Sequence, residues 1–267
     1  MDAAFQLAET NRSKPLLGIA FDLDGTLAPS KQPIPQEIAE ALRRISTRFD
    51  LAIITGGTFE QVRTQVAHRM DKVGGFYRPV HIFPTSGAAY FRLNTATNFR
   101  LIFEHSLSLP ERAKIRSAIE DSARQLGLWE LRTWGDIIED RGTQVTFSAL
   151  GQQAPLDKKL GWDPDGEKRN LLCATIAERL PGFDVRTGGS TSIDVVRKNI
   201  DKAYAMSVFL KNIGAHEKEV AFVGDQLEPG GNDYCVKAKG YYTVTVGSPE
   251  DTLQFLNSLQ CIPEPNS

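Results

Sequence analysis

The sequence predicts an α/β fold, a doubly wound parallel-sheet core interrupted by an inserted α+β cap domain. Short apolar runs at about 16–21, 51–54, 80–83, 220–223 and 241–246 alternate with segments of helical periodicity, the rhythm of βαβ units. The runs are nearly continuous in apolar residues, as strands covered on both faces require. Between about 105 and 196 the order becomes helix, two strands, helix, two strands, which does not continue a parallel sheet.

In chain order, residues 1–14 are polar apart from Phe5 and Leu7 and read as a loose arm. After the first strand, Pro33 and Pro35 break the chain, and Ile38, Ala41, Leu42 and Ile45 mark a helix near 36–48. The strand 51–54 stops at Thr55-Gly56-Gly57, and Thr58 caps a helix bearing Val62, Val66 and Met70. Beyond the strand 80–83, residues 90–93 and 101–103 form a hairpin. Ser108-Leu109-Pro110-Glu111 is a capping box that opens a helix to about Leu126. Strands follow at Ile137-Ile138 and 145–150, a helix from Pro164 to Leu180, and strands at 183–186 and 192–196. A helix over about 201–214, the strand 220–223, a Gly-rich loop to Asp233, a last strand and a helix over 250–259 complete the core, and Pro263 and Pro265 mark a loose tail. The expected domains are therefore a discontinuous core, 1–104 and 197–267, and a cap, 105–196.

Composition narrows the function classes. The 267 residues carry 31 basic and 33 acidic side chains, a net charge of −2, without a long block of one sign. That argues against a general nucleic-acid binder or a polybasic membrane anchor. Cys173, Cys235 and Cys261 are odd in number and widely spaced, so neither a disulfide framework nor a zinc site is expected. No apolar run reaches membrane-spanning length and the amino terminus lacks a signal-peptide core, so the expected location is cytoplasmic.

The chemistry centres on Phe21-Asp22-Leu23-Asp24-Gly25-Thr26, where a buried strand runs into two carboxylates spaced i, i+2. Asp-Gly also makes ordinary solvated turns, so the stretch alone does not choose between a turn and a site. The other strand ends choose. Thr55 follows the second strand, Lys202 opens the helix after the insert, and Asp225 follows a later strand with Asp233 at the end of its loop. Carboxyl ends of parallel strands gather on one edge, so these groups converge although distant in sequence. The set suits phosphoryl transfer, which needs a nucleophile, charge neutralisation and an acid/base. Asp22 is the candidate nucleophile and Asp24 the candidate acid/base. Thr55 and the amide near Gly56 hold phosphate oxygens, Lys202 acts as a point charge, and Asp22, Asp24 (through its carbonyl) and Asp225 bind Mg²⁺. Asp233 reads as a loop-fixing group.

These pieces resemble the four motifs of the haloacid dehalogenase superfamily of phosphatases and phosphomutases: D-x-D-G-T at Asp22–Thr26, a Thr at Thr55, a Lys at Lys202, and G-D with a downstream N-D at Gly224-Asp225 and Asn232-Asp233. The resemblance implies a Rossmann-like core, a first Asp that is nucleophilic, a second that is acid/base, and a Mg²⁺ requirement. An insert between the second and third motifs resembles the α/β-capped, type II branch. Gly224–Asp233, with Pro229 and the Gly230-Gly231 pair, and Gly188–Val195 resemble stretches of the eukaryotic-type phosphomannomutases. That likeness implies sugar-phosphate contacts at Ser192 and Asp194 and a distal-phosphate contact at Arg141, and it makes a homodimer through the cap an expectation. A second cap Arg of those mutases falls here on Gln152. Because a mutase must hold a phosphate remote from the metal, the neutral Gln152 sets the expectation of a Mg²⁺-dependent phosphatase acting on a small phosphorylated metabolite, a sugar phosphate. The alternative is a phosphomannomutase-like phosphosugar mutase. A non-catalytic binding or regulatory domain on the same fold is the remaining reading, and the intact Asp22, Asp24, Lys202 and Asp225 weigh against it.

Overall fold

The computed structural model describes residues 15–259; the expected arm over 1–14, Cys261 and the tail with Pro263 and Pro265 lie outside the described residues. The chain forms two compact units, one containing the residues up to Phe103 and those from Asp201 onward, the other Glu104–Ile200.

The first unit is an α/β layer structure. Its sheet joins β1 (Gly18–Phe21), β2 (Asp50–Ile54), β3 (Val80–Phe83), β4 (Ala89–Leu93), β5 (Phe99–Glu104), β10 (Val220–Gly224) and β11 (Tyr242–Thr245), in the order β11-β10-β1-β2-β3-β4-β5. The pairings from β11 through β3 are parallel, and β4 returns antiparallel to β3. Alternation along β1 shows why both faces are covered. Ile19 and Phe21 pack with Ile38, Leu42 and Ile45 of α1 (Gln36–Ile45), with Val62 and Val66, and with Phe255 of α9 (Pro249–Ser258). Ala20 faces the other layer, where Met206 and Phe209 of α7 (Lys202–Ile213) and Val236 of α8 (Tyr234–Ala238) lie. Full burial of a side chain such as Phe21 or Ile38 contributes about 1.5–3 kcal/mol, so both layers hold the sheet edge that carries the polar groups.

The second unit has an antiparallel sheet in the order β6-β7-β9-β8, built from β6 (Ile138–Asp140), β7 (Gln144–Ser148), β8 (Phe183–Thr187) and β9 (Ser192–Arg197). One face, with Val145, Phe147, Ile193 and Val195, is packed by Ile115 and Ile119 of α4 (Leu109–Gln125) and Leu172 and Ile176 of α6 (Glu167–Arg179). The other face is polar.

Some elements differ from expectation. The helix from Thr58 runs as α2 (Phe59–Val62), a π-helical turn Arg63–Ala67, and α3 (His68–Lys72). Helix α5 (Leu156–Trp162) was not expected: it buries no side chain, so no apolar stripe marked it. The helix expected to open at Pro164 starts at Glu167, because the buried Asp163 carboxylate accepts the Lys168 and Arg169 amides at 3.0 and 3.1 Å and Gly166 turns left-handed before it. Helix α8 is one turn, too short to leave a period.

Candidate active site

The strand register brings the polar groups of the first unit to one edge. Phe21 is level with Val223 of β10 and Ile53 of β2, so Asp22, Thr55 and Asp225 all emerge just past their strands' carboxyl ends. The Asp22 amide donates to the Val223 carbonyl at 2.9 Å, tying the first residue after β1 to β10. Gly25, at φ +87°, completes the approach: a Cβ there would lie 2.5 Å from an Asp225 carboxylate oxygen. Gly224 is under similar constraint, since its Cβ would meet Asp233 Oδ2 at 2.5 Å.

Lys202 is the first residue of α7, which the Asp201 side chain caps through the Tyr204 amide at 2.7 Å. Its Nζ, fully buried, bridges Asp22 Oδ1 at 2.7 Å and Asp233 Oδ1 at 2.6 Å. Carboxylate oxygens of Asp22, Asp225 and Asp233 lie within 4.8 Å of one another. Three carboxylates against one ammonium leave an excess of negative charge in a buried place. Burial pushes the Asp22 carboxyl up to about 8, with Asp233 and Asp225 adding and Lys202 opposing. Burial and Asp233 likewise raise Asp225. Burial works to lower the Lys202 ammonium, but Asp22 and Asp233 outweigh it and hold the group above its ordinary value. Hard oxygen donors with unbalanced charge fit a divalent cation.

The carboxylates are not equivalent. Asp233 has one oxygen on Lys202 and the other accepting the Gln226 amide at 3.1 Å, so it fixes the loop and the lysine. Asp225 receives a long 3.4 Å bond from the Thr26 hydroxyl, and its own amide and the Gln226 side chain also donate to it. Asp24 stands apart from the three: its Oδ1 accepts the Lys31 amide at 2.6 Å and the Gln65 amide group at 3.1 Å. Its side chain is not part of the carboxylate cluster, and the metal role expected for Asp24 was one for its carbonyl. Gln65 was missed by sequence reasoning. It lies in the π-helical turn, and a polar residue three positions after Val62, on the stripe of Val62, Val66 and Met70, was the available signal. Thr55 is buried, and its hydroxyl accepts the Gly57 amide at 3.0 Å, which shapes the turn holding Gly56.

The second unit carries the remaining expected residues on the polar face of its sheet. Glu139, Thr146, Asp194 and Arg186 form one cross-strand row. Thr146 donates its hydroxyl to Asp194 Oδ1 at 2.7 Å and receives the Gln144 amide at 2.8 Å. Ser148 and Ser192 are paired, their hydroxyls 3.4 Å apart. Burial raises the Asp194 carboxyl, eased first by Arg141 and also by Arg186. Each arginine is held by a carboxylate two residues away on the same face, Arg141 by Glu139 and Arg186 by Asp184, both at 2.8 Å. Gln152 donates to the Ser148 hydroxyl at 2.9 Å.

A sequence profile described as eukaryotic phosphomannomutase matches residues 38–261. The chain belongs to the eukaryotic phosphomannomutase family. Human phosphomannomutase 1 is 24% identical over 92% of this chain and 93% of its own length. The phosphomannomutase of Saccharomyces cerevisiae is 23% identical over 93% and 96%. Among solved structures, IMP-bound IMP-nucleotidase of Plasmodium falciparum shares the fold with a TM-score of 0.72 at 16% identity, over 97% of this chain and 71% of that one. A haloacid dehalogenase-like hydrolase from Bacteroides thetaiotaomicron matches with a TM-score of 0.61 at 18% identity, over 91% and 99%. The phosphomannomutase family thus sits here on an α/β fold shared with a haloacid dehalogenase-like hydrolase. Among the described residues no helix is long and apolar enough to cross a membrane. Hydrolysis, placed first by the sequence reading, is less well supported by these relatives than the mutase alternative.

Proposed function

We propose that the chain is a Mg²⁺-dependent phosphosugar mutase that passes a phosphoryl group through Asp22. One observation carries the mutase reading: similarity to the phosphomannomutases runs through both units, over 92% of this chain in the human relative, and not through the phosphoryl-transfer core alone. In the first half-reaction the Asp22 oxygen not held by Lys202 attacks phosphorus, the P–O ester bond breaks, and Asp24 gives its proton to the leaving oxygen. The two bonds on Asp24 Oδ1 leave Oδ2 as the oxygen that exchanges the proton. In the second, Asp24 takes the proton of another sugar hydroxyl, that oxygen attacks phosphorus, and the Asp22–phosphoryl bond breaks. Asp22, Asp225 and the Asp24 carbonyl would hold Mg²⁺, which would supply charge neutralisation on the phosphoryl oxygens. Lys202 keeps Asp22 in place, and Thr55 with the Gly56 amide supplies phosphate donors. Arg141, Ser192 and Asp194 are assigned to the sugar and its distal phosphate.

A second reading, hydrolysis of a sugar phosphate, has its own observation in Gln152. A neutral amide already bonded to Ser148 does not supply the charge-assisted contact a remote phosphate needs. Nearby cations do not replace it: Lys158, Arg186 and Arg197 face Asp157, Asp184 and Glu111, and Lys159 donates to the Gln152 carbonyl. The test incubates the protein with Mg²⁺, mannose 1-phosphate and catalytic hexose bisphosphate, and counts mannose 6-phosphate against free phosphate. Isomer forming well ahead of free phosphate is the expected result; net phosphate release would transfer the assignment to the second reading.

A further inference from the structure

We propose that Gln144 is a specificity-determining residue whose side-chain carbonyl accepts a hydrogen bond from a hydroxyl of the sugar. Gln144 opens β7 and is fully buried, yet its Oε1 has no hydrogen-bond partner in the structure. Leaving such an acceptor unmade costs about 1–3 kcal/mol, so it calls for a reason. A flipped amide does not supply one. The Thr146 hydroxyl has one proton, which it gives to Asp194 Oδ1 at 2.7 Å, so it must accept from Gln144, and the 2.8 Å contact is then with the NH₂ group. The carbonyl oxygen is the end left over.

Its surroundings indicate what it awaits. Gln144 shares a sheet face with Thr146 and Ser148, two residues apart along one strand, and with Asp194 on the next. Beside Val196, which pairs directly with Gln144, these neighbours offer hydroxyls and one carboxylate, the chemistry of polyol recognition. An unpaired amide carbonyl beside a carboxylate gives two acceptors linked through one threonine, a pattern that matches neighbouring hydroxyl donors on a sugar ring. A phosphate is the wrong partner for Gln144 Oε1, because it brings acceptors to an acceptor. The choice between sugars then falls on the one that places a hydroxyl at this oxygen.

The inference rests on the proposed sugar-phosphate function, and the experiment separates the two. kcat/KM is measured for wild type and Gln144→Met on mannose 6-phosphate and its 2-, 3- and 4-deoxy analogues. One deoxy analogue is expected to cost wild type about tenfold or more, and the same analogue to cost Gln144→Met less than about twofold, with the other penalties unchanged. Equal penalties in both proteins, or a uniform loss across all substrates in the variant, overturn the role of Gln144 while leaving the function intact. Failure of wild type to act on any hexose phosphate overturns the function, and this inference with it. If Gln144→Met does not fold, Gln144→Asn withdraws the carbonyl by one methylene. A penalty that shrinks supports the role, and an unchanged penalty overturns it.

Discussion

The two units each bury a cluster of polar side chains, and they balance them in opposite ways. In the first, Asp22, Asp225 and Asp233 crowd around a single cation, Lys202. In the second, the lone inner carboxylate, Asp194, has Arg141 and Arg186 near it and neutral hydroxyls and amides around it. Burial raises the carboxyl groups of both clusters, Asp22 and Asp225 in one and Asp194 in the other. The first keeps an unmet charge, which suits a divalent cation and a phosphoryl group. The second has its arginines held by Glu139 and Asp184, and among its polar atoms without a hydrogen-bond partner is the neutral acceptor of Gln144. Unbalanced charge marks the first cluster and hydrogen bonds with neutral groups mark the second, the contrast that the proposed function draws on in giving the chemistry to one unit and substrate selection to the other.

The largest test of that contrast removes the nucleophile. Asp22→Asn is nearly isosteric and should lower turnover by about 10⁴-fold with the fold intact, as judged by circular dichroism and initial rates. Trifluoroberyllate should bind wild type at Asp22 and not the variant; retained turnover would remove the covalent route.

Lys202→Met comes next. It leaves Asp22 and Asp233 buried without their ammonium and should cost about 3–5 kcal/mol in urea unfolding, whereas an exposed pair such as Lys237–Glu228 should cost under about 1 kcal/mol when broken. Equal costs would mean that the core cluster is screened as the surface is.

The third test uses pH. A carboxyl raised in the folded state favours folding below its unfolded value near 3.8, and that contribution is lost as pH climbs toward the folded value near 8. The metal-free protein in EDTA should therefore lose this stability between about pH 4 and 8. Protons and Mg²⁺ compete for Asp22, so added Mg²⁺ should raise the melting temperature more at pH 8 than at pH 6. EDTA should also stop turnover and Mg²⁺ restore it. A Mg²⁺ effect that is flat with pH would detach the metal from Asp22.

The smallest effect lies in the inserted unit. Gln152→Arg puts a cation at position 152 and should tighten hexose bisphosphate binding by about tenfold in calorimetry, with little change for a neutral sugar. No change would mean that position 152 does not face the remote phosphate.

Much of this was readable along the chain because it rests on local rules. Asp22, Asp24, Thr55 and Asp225 follow apolar runs, and strand ends can be counted off a sequence. Lys202 follows a capping Asp at a helix start. What escaped depended on neighbours far away in sequence. Gln65 reads as one more polar helix residue until Asp24, 41 positions earlier, is found on its amide. Gln144 lies just before the strand expected at 145–150 and draws no notice until Thr146 is seen to give its proton to Asp194, 48 positions later. Helix α5 escaped for the opposite reason, having no buried face to leave a pattern.

By itself, then, the sequence determined the α/β architecture, the inserted unit and the residue types at the strand ends, because apolar periodicity, caps and turns act over a few residues. Only the tertiary structure decided which groups each carboxylate meets. It put both oxygens of Asp233 on Lys202 and the Gln226 amide, and turned the Asp24 side chain to Gln65. It also left Gln144 with an open acceptor. Hydrogen-bond partners and burial are properties of the packed chain: a side chain's surroundings are set by the groups that folding brings within about 3 Å of it, and many of those lie tens of residues away.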